Sequence, residues 1–261
     1  MNLGLAGKTA LVTGASEGIG AGIAQALSAE GVTVAICART RDKLEQTAAR
    51  ISAETGGRVL PIVADLGTLE GCNSFVAQAH AQLGRIDILV NNAGSAKMAA
   101  FVDMPDEVFI DAFNGKLFAA MRCARAVIEP MKAGGGGVIL NITGATQQGV
   151  LLFSAGGSCN AAVRMFSKVL SLELAPLGIR VNSIAPGRIK TTRLVATFAA
   201  EAAASGSTPD MIEAKNIASI PSGRLGDPLD IANLVCFLAS DLSAYINGAA
   251  ISVDGGKSPL M

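Results

Sequence analysis

Tryptophan is absent from this 261-residue chain, and histidine and tyrosine occur once each, as His80 and Tyr245. One histidine cannot build a histidine-based metal site. Charge is scarce too. Asp, Glu, Lys and Arg make up 16% of the residues, and 21 basic residues balance 21 acidic ones. That balance leaves no basic field to hold a nucleic acid and no acidic tail. No apolar run reaches the length of a membrane span. The start, Met1-Asn2-Leu3-Gly4-Leu5, lacks the charged and long apolar regions of a signal peptide. Cysteines at 37, 72, 123, 159 and 236 are odd in number and form no C-x-x-C pair. They read as reduced, buried thiols of a cytoplasmic protein, not as disulfides or metal ligands.

Apolar residues, by contrast, are half of the chain, and there are 30 glycines. Such a chain buries a large core and is not disordered. Short apolar runs predict strands at 9–12, 32–38, 59–63, 86–91, 137–142, 181–185 and 250–253. Amphipathic stretches predict helices at 18–29, 42–52, 69–83, 105–132, 158–175 and 229–240. In the second of these, Leu44, Ala48 and Ile51 share one face. Strands alternating with helices imply parallel βαβ units in one doubly wound sheet, covered by helices on both faces. There is no internal repeat and no linker, so residues 1–261 read as a single α/β domain. Residues 192–221, rich in Ala, Ser and Gly, read as a substrate lid or as a plain surface loop.

The run Thr13-Gly14-Ala15-Ser16-Glu17-Gly18-Ile19-Gly20 follows the first predicted strand and opens the first helix. Gly14 permits a tight turn, Gly18 lets a phosphate approach the backbone, and Gly20 lets helix and strand pack closely. The helix N-terminus would then face a pyrophosphate. A glycine turn without a ligand is the plainer alternative.

The spacing G-x-x-x-G-x-G, with Asn91-Asn92-Ala93-Gly94 after the fourth strand, resembles the short-chain dehydrogenase/reductase family. Asp65-Leu66, Pro186-Gly187, Arg224-Leu225-Gly226-Asp227-Pro228, Phe237-Leu238-Ala239-Ser240 and Asp254-Gly255-Gly256 extend the resemblance over nearly the whole chain. It implies a Rossmann-type seven-stranded sheet, a cofactor NAD(H) or NADP(H), and a homotetramer or homodimer. It also implies cofactor contacts. Gly14, Ser16, Glu17, Gly18, Ile19 and Gly20 would hold phosphates and ribose, and Asp65 and Leu66 would meet the adenine. Asn91, Ala93 and Gly94 would lie along the riboses, and Pro186, Gly187, Ile189 and Thr191 would bracket the carboxamide. At the end of the second strand, Ala38 stands where NAD enzymes place an acid, and Arg39 suits a 2′-phosphate. This favours NADP, although Glu17 stands where NADP-dependent members often carry Lys or Arg.

The resemblance also implies a Tyr-x-x-x-Lys pair, a serine and a helix asparagine as catalytic groups. Counting from Phe166-Ser167-Lys168 puts Gly156 and Asn160 at the tyrosine and lysine positions, and counting from Asn141 puts Gly144 at the serine position. The asparagine position falls on Lys116, with Asn114 about 200° away on an α-helix. The lysine and asparagine are thus exchanged between two facing helices. Lys116 becomes the candidate acid or base, with its pKa depressed by burial, and Asn160 the candidate ribose ligand. The alternative is a structural Lys116, bonded only to backbone carbonyls. The glycines at 144, 156 and 157 would leave room for a bulkier substrate or a water. Thr143, Thr146, Gln147 and Gln148 are candidate polar contacts, and Ala96, Met98, Phe101, Leu151, Leu152, Phe153 and parts of 192–220 make a substrate pocket apolar. His80 reads as a surface residue, Lys97 as a solvated loop lysine or one that enters the pocket, and Cys159 as a small buried residue.

Two readings follow. One is an NADP(H)-preferring oxidoreductase acting on a carbonyl or alcohol of an apolar small molecule by an altered proton route. The other is a nucleotide-binding protein of another kind: a redox sensor, a partner subunit, or a lyase or isomerase.

Overall fold

The computed structural model describes residues 2–94, 97–144 and 150–258. Seven strands form one sheet: β1 (Thr9–Thr13), β2 (Thr33–Ala38), β3 (Val59–Val63), β4 (Ile88–Asn91), β5 (Gly137–Ile142), β6 (Ile179–Pro186) and β7 (Ala250–Val253). Their order is β3-β2-β1-β4-β5-β6-β7, and every pairing is parallel. Alternate side chains pass to opposite faces. Ala10 and Val12 therefore join one core, while Leu11 between them joins another. Both faces are apolar because both are covered.

On the first face lie α1 (Gly18–Ala29), α2 (Arg41–Thr55) and α9 (Pro228–Ala239). Leu44, Ala48 and Ile51 pack inward from α2, as their spacing predicts. On the second face lie α3 (Leu69–Leu83), α5 (Ala119–Ala133) and α6 (Ser154–Leu174). Phe75 of α3 is fully buried there. Burying such a ring contributes roughly 1.5–3 kcal/mol. A short α4 (Asp106–Ala112) precedes α5, and α7 (Thr192–Ser205) and α8 (Pro209–Ala218) follow β6.

The chain goes outward from β1 to β2 and β3, then returns to β4 on the other side of β1. That reversal opens a crevice at the carboxyl ends of β1 and β4, the place where such sheets bind ligands. A buried polar bridge holds this end rigid. Asn91 of β4 donates to Asn141 of β5 (2.9 Å), and Asn141 donates to Ser167 of α6 (2.8 Å).

Three predicted elements differ from the structure. The single helix expected over 105–132 is broken by a π-helical segment, Phe113–Phe118, between α4 and α5. The helix expected from 158 begins at Ser154, because Ala155 is buried against Met104 and Ala112. Residues 192–221 hold two helices, not a plain loop. Thr191 and Thr208 cap them, and Gly206 ends the first at φ +66°. Four of the seven strands shift a limit by one or two residues, as element ends commonly do.

Candidate active site

The glycine loop crosses from β1 to α1 over the crevice. Gly14 adopts φ +64°, and a Cβ there would lie 2.8 Å from the Ala93 Cα. A Cβ on Gly20 would lie 2.5 Å from the Gly14 carbonyl oxygen. Gly18, at φ +59°, faces Thr191 across the cleft, with Thr191 Cγ2 at 3.3 Å from a Cβ. The loop is thus closed against β4 on one side and the start of α7 on the other. Two residues absent from the expected contacts complete it. Asn92 donates to the carbonyls of Thr13 and Gly14, each at 3.0 Å, and Thr47 donates to that of Ser16 at 2.7 Å. Thr13 Oγ1 accepts from the amides of Asn92 and Ala93. Asn92, beside Ala93-Gly94, has that glycine turn as its sequence signal, whereas Thr47, inside α2, has none.

Helices α3, α7, α8 and α9 each receive a side-chain cap, whereas α1 and α2, like α4, α5 and α6, receive none from their N-cap residues, here Glu17 and Thr40. The first-turn amides of α1 and α2 are therefore not satisfied by their N-cap side chains, which suits phosphate groups. Arg39 is exposed one residue beyond β2. Asp65 is exposed and accepts from the Gly67 amide, while Leu66 is buried beneath it. The Asn91 amide is engaged inside, with Asn141 and the Ala120 carbonyl, so only its backbone borders the cleft. Ile19 lines the loop side, packed against the first core. Glu17 meets Lys43 at 2.8 Å and accepts from Thr192. These two partners hold its carboxyl below the usual range.

At the far end, Gly187 packs on Asp254, Ile189 is buried and bridges to Gly226, and Thr191 accepts from the Leu194 amide. Pro186 ends β6 beside them.

Lys116 lies in the π-helical segment. Its stem packs on Gly94, where a Cβ at φ +134° would meet Lys116 Cβ at 2.7 Å. Its Nζ donates to the Thr143 carbonyl at 3.0 Å. The side chain is half-buried and its ammonium lies deep, so burial lowers its pKa from 10.5 to about 8. The adjoining residue, Gly144, would bring a Cβ within 2.7 Å of Asn160 Nδ2. Lys116 and Asn160 therefore approach consecutive residues, 143 and 144, from two different helical segments. Asn160 is buried, and its Oδ1 has no hydrogen-bond partner among the described residues. Buried amide oxygens are rarely left unpaired, and those that are call for an explanation.

The room expected at the glycines is partly filled. A Cβ on Gly156 would lie 2.1 Å from Phe153 Cζ, so the Phe153 ring covers that position. Asn160 fills the space at Gly144 in the same way. Of the glycines at 144, 156 and 157, Gly157 alone faces open space. Thr143 gives its hydroxyl proton to the Ile184 carbonyl (3.0 Å) and is not a free donor. Ala96, Thr146, Gln147 and Gln148 lie outside the described residues. Met98, Phe101, Leu151 and Leu152 are exposed. His80 and Lys97 are exposed, Tyr245 is fully so, and all five cysteines are buried and free. Cys159 donates to the Ala112 carbonyl, and burial raises its pKa. Among the described residues no group of His, Cys, Asp or Glu is placed to hold a metal ion, and no helix is long and apolar enough to cross a membrane.

Residues 14–258 match the family profile described as enoyl-(acyl carrier protein) reductase. The chain belongs to the short-chain dehydrogenase/reductase family. It is 36% identical over 255 residues to the 3-oxoacyl-[acyl-carrier-protein] reductase FabG of Escherichia coli, covering 96% of this chain and 97% of that one. It is 35% identical over 248 residues to the short-chain reductase protein NovJ of Streptomyces niveus, covering 95% and 93%. The crystal structure of L-sorbose reductase from Gluconobacter frateurii, complexed with NADPH and L-sorbose, superposes with a TM-score of 0.96 at 33% identity, covering all of both chains. The short-chain dehydrogenase/reductase fold is thus present complete, and the family's cofactor is NAD(P). The glycine loop between β1 and α1 fits such a dinucleotide, as does the Asn160 oxygen, which has no partner among the described residues.

Proposed function

We propose that this protein is an NADP(H)-preferring oxidoreductase acting on a carbonyl or alcohol of a fairly apolar small molecule, with Lys116 as the proton-handling group. The juxtaposition of Lys116 and Asn160 at residues 143–144 carries this reading. When bound, the cofactor supplies or accepts the hydride. The chain must then orient the cofactor and move one proton. The loop at Gly14, Ser16, Glu17, Gly18, Ile19 and Gly20 holds the diphosphate end. Arg39 offers a bidentate cation to a 2′-phosphate. Asp65, Leu66, Asn91, Ala93 and Gly94 border the adenosine side, and Pro186, Gly187, Ile189 and Thr191 the carboxamide side. Asn160 directs an Oδ1 with no partner among the described residues, which accepts from a ribose hydroxyl. Lys116 Nζ gives a proton to the substrate oxygen in reduction and takes one in oxidation. An amine titrating at about 8 is suited to both. Phe153, Met98, Phe101, Leu151 and Leu152 supply apolar surface, and residues 192–221 serve as the substrate lid. We assign the active form as a homotetramer or homodimer in the cytoplasm, on family likeness.

This route departs from the Tyr-x-x-x-Lys chemistry usual in the family, since Gly156 and Asn160 stand at those positions. The filled spaces at Gly144 and Gly156 favour a second reading, in which the cleft binds nucleotide without dehydrogenase turnover. One experiment separates the two. Side-by-side titration with NADPH and NADH, read by reduced-nicotinamide fluorescence, is followed by a panel of apolar ketones. Tighter NADPH binding with turnover supports the oxidoreductase. Binding without turnover supports the second reading, and no binding at millimolar nucleotide removes both.

A further inference from the structure

Glu17 is an awkward residue beside a 2′-phosphate. It is the N-cap of α1, inside the glycine loop. In a Rossmann fold the ribose 2′ position is read at the end of the second strand. Arg39 stands there, and Lys43 follows in the first turn of α2. The same helix reaches the loop twice. Lys43 Nζ lies 2.8 Å from Glu17 Oε2, and Thr47 Oγ1 donates to the Ser16 carbonyl at 2.7 Å. Thr192 donates to the same Glu17 oxygen from the start of α7. The carboxylate is therefore pinned in place and cannot swing into solvent without losing both partners. A fixed, unpaired negative charge there would oppose a second negative charge on the ligand.

We propose that Lys43 is a specificity-determining positioning residue, whose ion pair neutralises Glu17 so that the loop accepts the 2′-phosphate beside Arg39. The proposal rests on the NADP(H) reading above. Both side chains are about half exposed, at 49% and 46%. Such a surface pair adds little to stability, so its consequence lies in the field felt by a bound anion. Lys43 acts through Glu17, and the glutamate is the residue that faces the ligand.

The test is a binding cycle in the full-length protein. Wild type, Lys43→Met, Glu17→Gln and the double variant are titrated with NADPH and NADH at low and high salt. Gln keeps an acceptor for Thr192 and removes the charge. Lys43→Met is expected to weaken NADPH binding about tenfold at low salt, to leave NADH within about twofold, and to lose most of this effect at high salt. Adding Glu17→Gln is expected to restore NADPH binding. Retained NADH binding shows that the variant is folded. Undiminished NADPH binding in Lys43→Met overturns the proposal. A loss that persists in the double variant also overturns it, since Lys43 would then touch the phosphate directly. Wild-type protein that binds NADH as tightly as NADPH overturns the cofactor reading itself, whatever the variants do.

Discussion

Lys116 brings together several constraints at one residue. Its stem needs Gly94 to have no Cβ, and its ammonium has left water for the Thr143 carbonyl. A lysine depressed from 10.5 to about 8 on folding binds fewer protons folded than unfolded between those values. Stability therefore rises with pH across that window, and below about pH 8 the buried charge is a full penalty on the order of 3 kcal/mol. Lys116→Met is expected to be more stable than wild type at pH 7 and to lose that advantage by pH 10, as urea unfolding at the two values will show. An advantage equal at both pH values would place the lysine's titration elsewhere. The same variant should reduce turnover about 10²–10⁴-fold while still binding nucleotide. In wild type, ketone reduction should fall above about pH 8, where the donated proton is lost, and alcohol oxidation should rise there. Gly94→Ala is expected to cost about 1–3 kcal/mol, through both its positive φ and the Lys116 contact. Denaturant midpoints measure this. A neutral substitution would mean that Lys116 moves aside freely.

At the scale of elements, the π-helical segment Phe113–Phe118 sets where Lys116 points. A single wide turn rotates everything after it relative to a regular helix, and such turns often mark functional sites. Helical periodicity alone predicts one unbroken helix over 105–132, because an extra residue in one turn hardly changes an apolar stripe. The parallel sheet was far more legible. Runs such as Ala10–Leu11–Val12 are apolar on both faces, and the glycine turn after them has a required place in such a fold. Residues 192–221 were not legible as helices, since alanine and serine carry little periodicity, although Thr208-Pro209 is a readable start signal. Nor was Phe153 readable as the ring over Gly156, because a glycine shows where a side chain is missing and not what replaces it. Gly115 sits inside the wide turn with open space at its Cβ position and no positive φ. Gly115→Ala is therefore expected to stabilise by about 0.5–1 kcal/mol and to leave nucleotide affinity unchanged. A destabilised variant would show that the turn needs glycine for its backbone.

The whole molecule is a rigid sheet-centred body carrying a smaller unit above the cleft. Two extensive cores clamp the sheet, whereas α7 and α8 have their own small cluster of Leu194, Phe198, Ile220 and Leu225. Few polar contacts join that unit to the cleft. Thr192 reaches Glu17 on one wall, and Arg193 Nη1 reaches the Gly94 carbonyl on the other at 3.3 Å. A unit with a separate small core, held elsewhere by exposed ties such as Lys190–Glu213 and Lys257–Ser219, opens at lower free energy than the sheet. On the cofactor contacts proposed above, its opening and the binding of nucleotide would be linked, because both would involve Glu17 and Gly94. A ligand at 100 times its Kd stabilises the state it binds by about 2.7 kcal/mol, about a hundredfold in the open population. Trypsin under native conditions is expected to cut first within 192–221, at Arg193 or Lys215, and saturating NADPH should slow that cut. Arg193→Ala removes one tie and one site together, so cleavage at Lys215 is the informative rate; it should rise without nucleotide. Mass spectrometry of the first fragments decides the matter. First cuts in the sheet, or a Lys215 rate indifferent to both NADPH and Arg193, would mean that this segment is a fixed wall of the cleft and that substrate enters by another route.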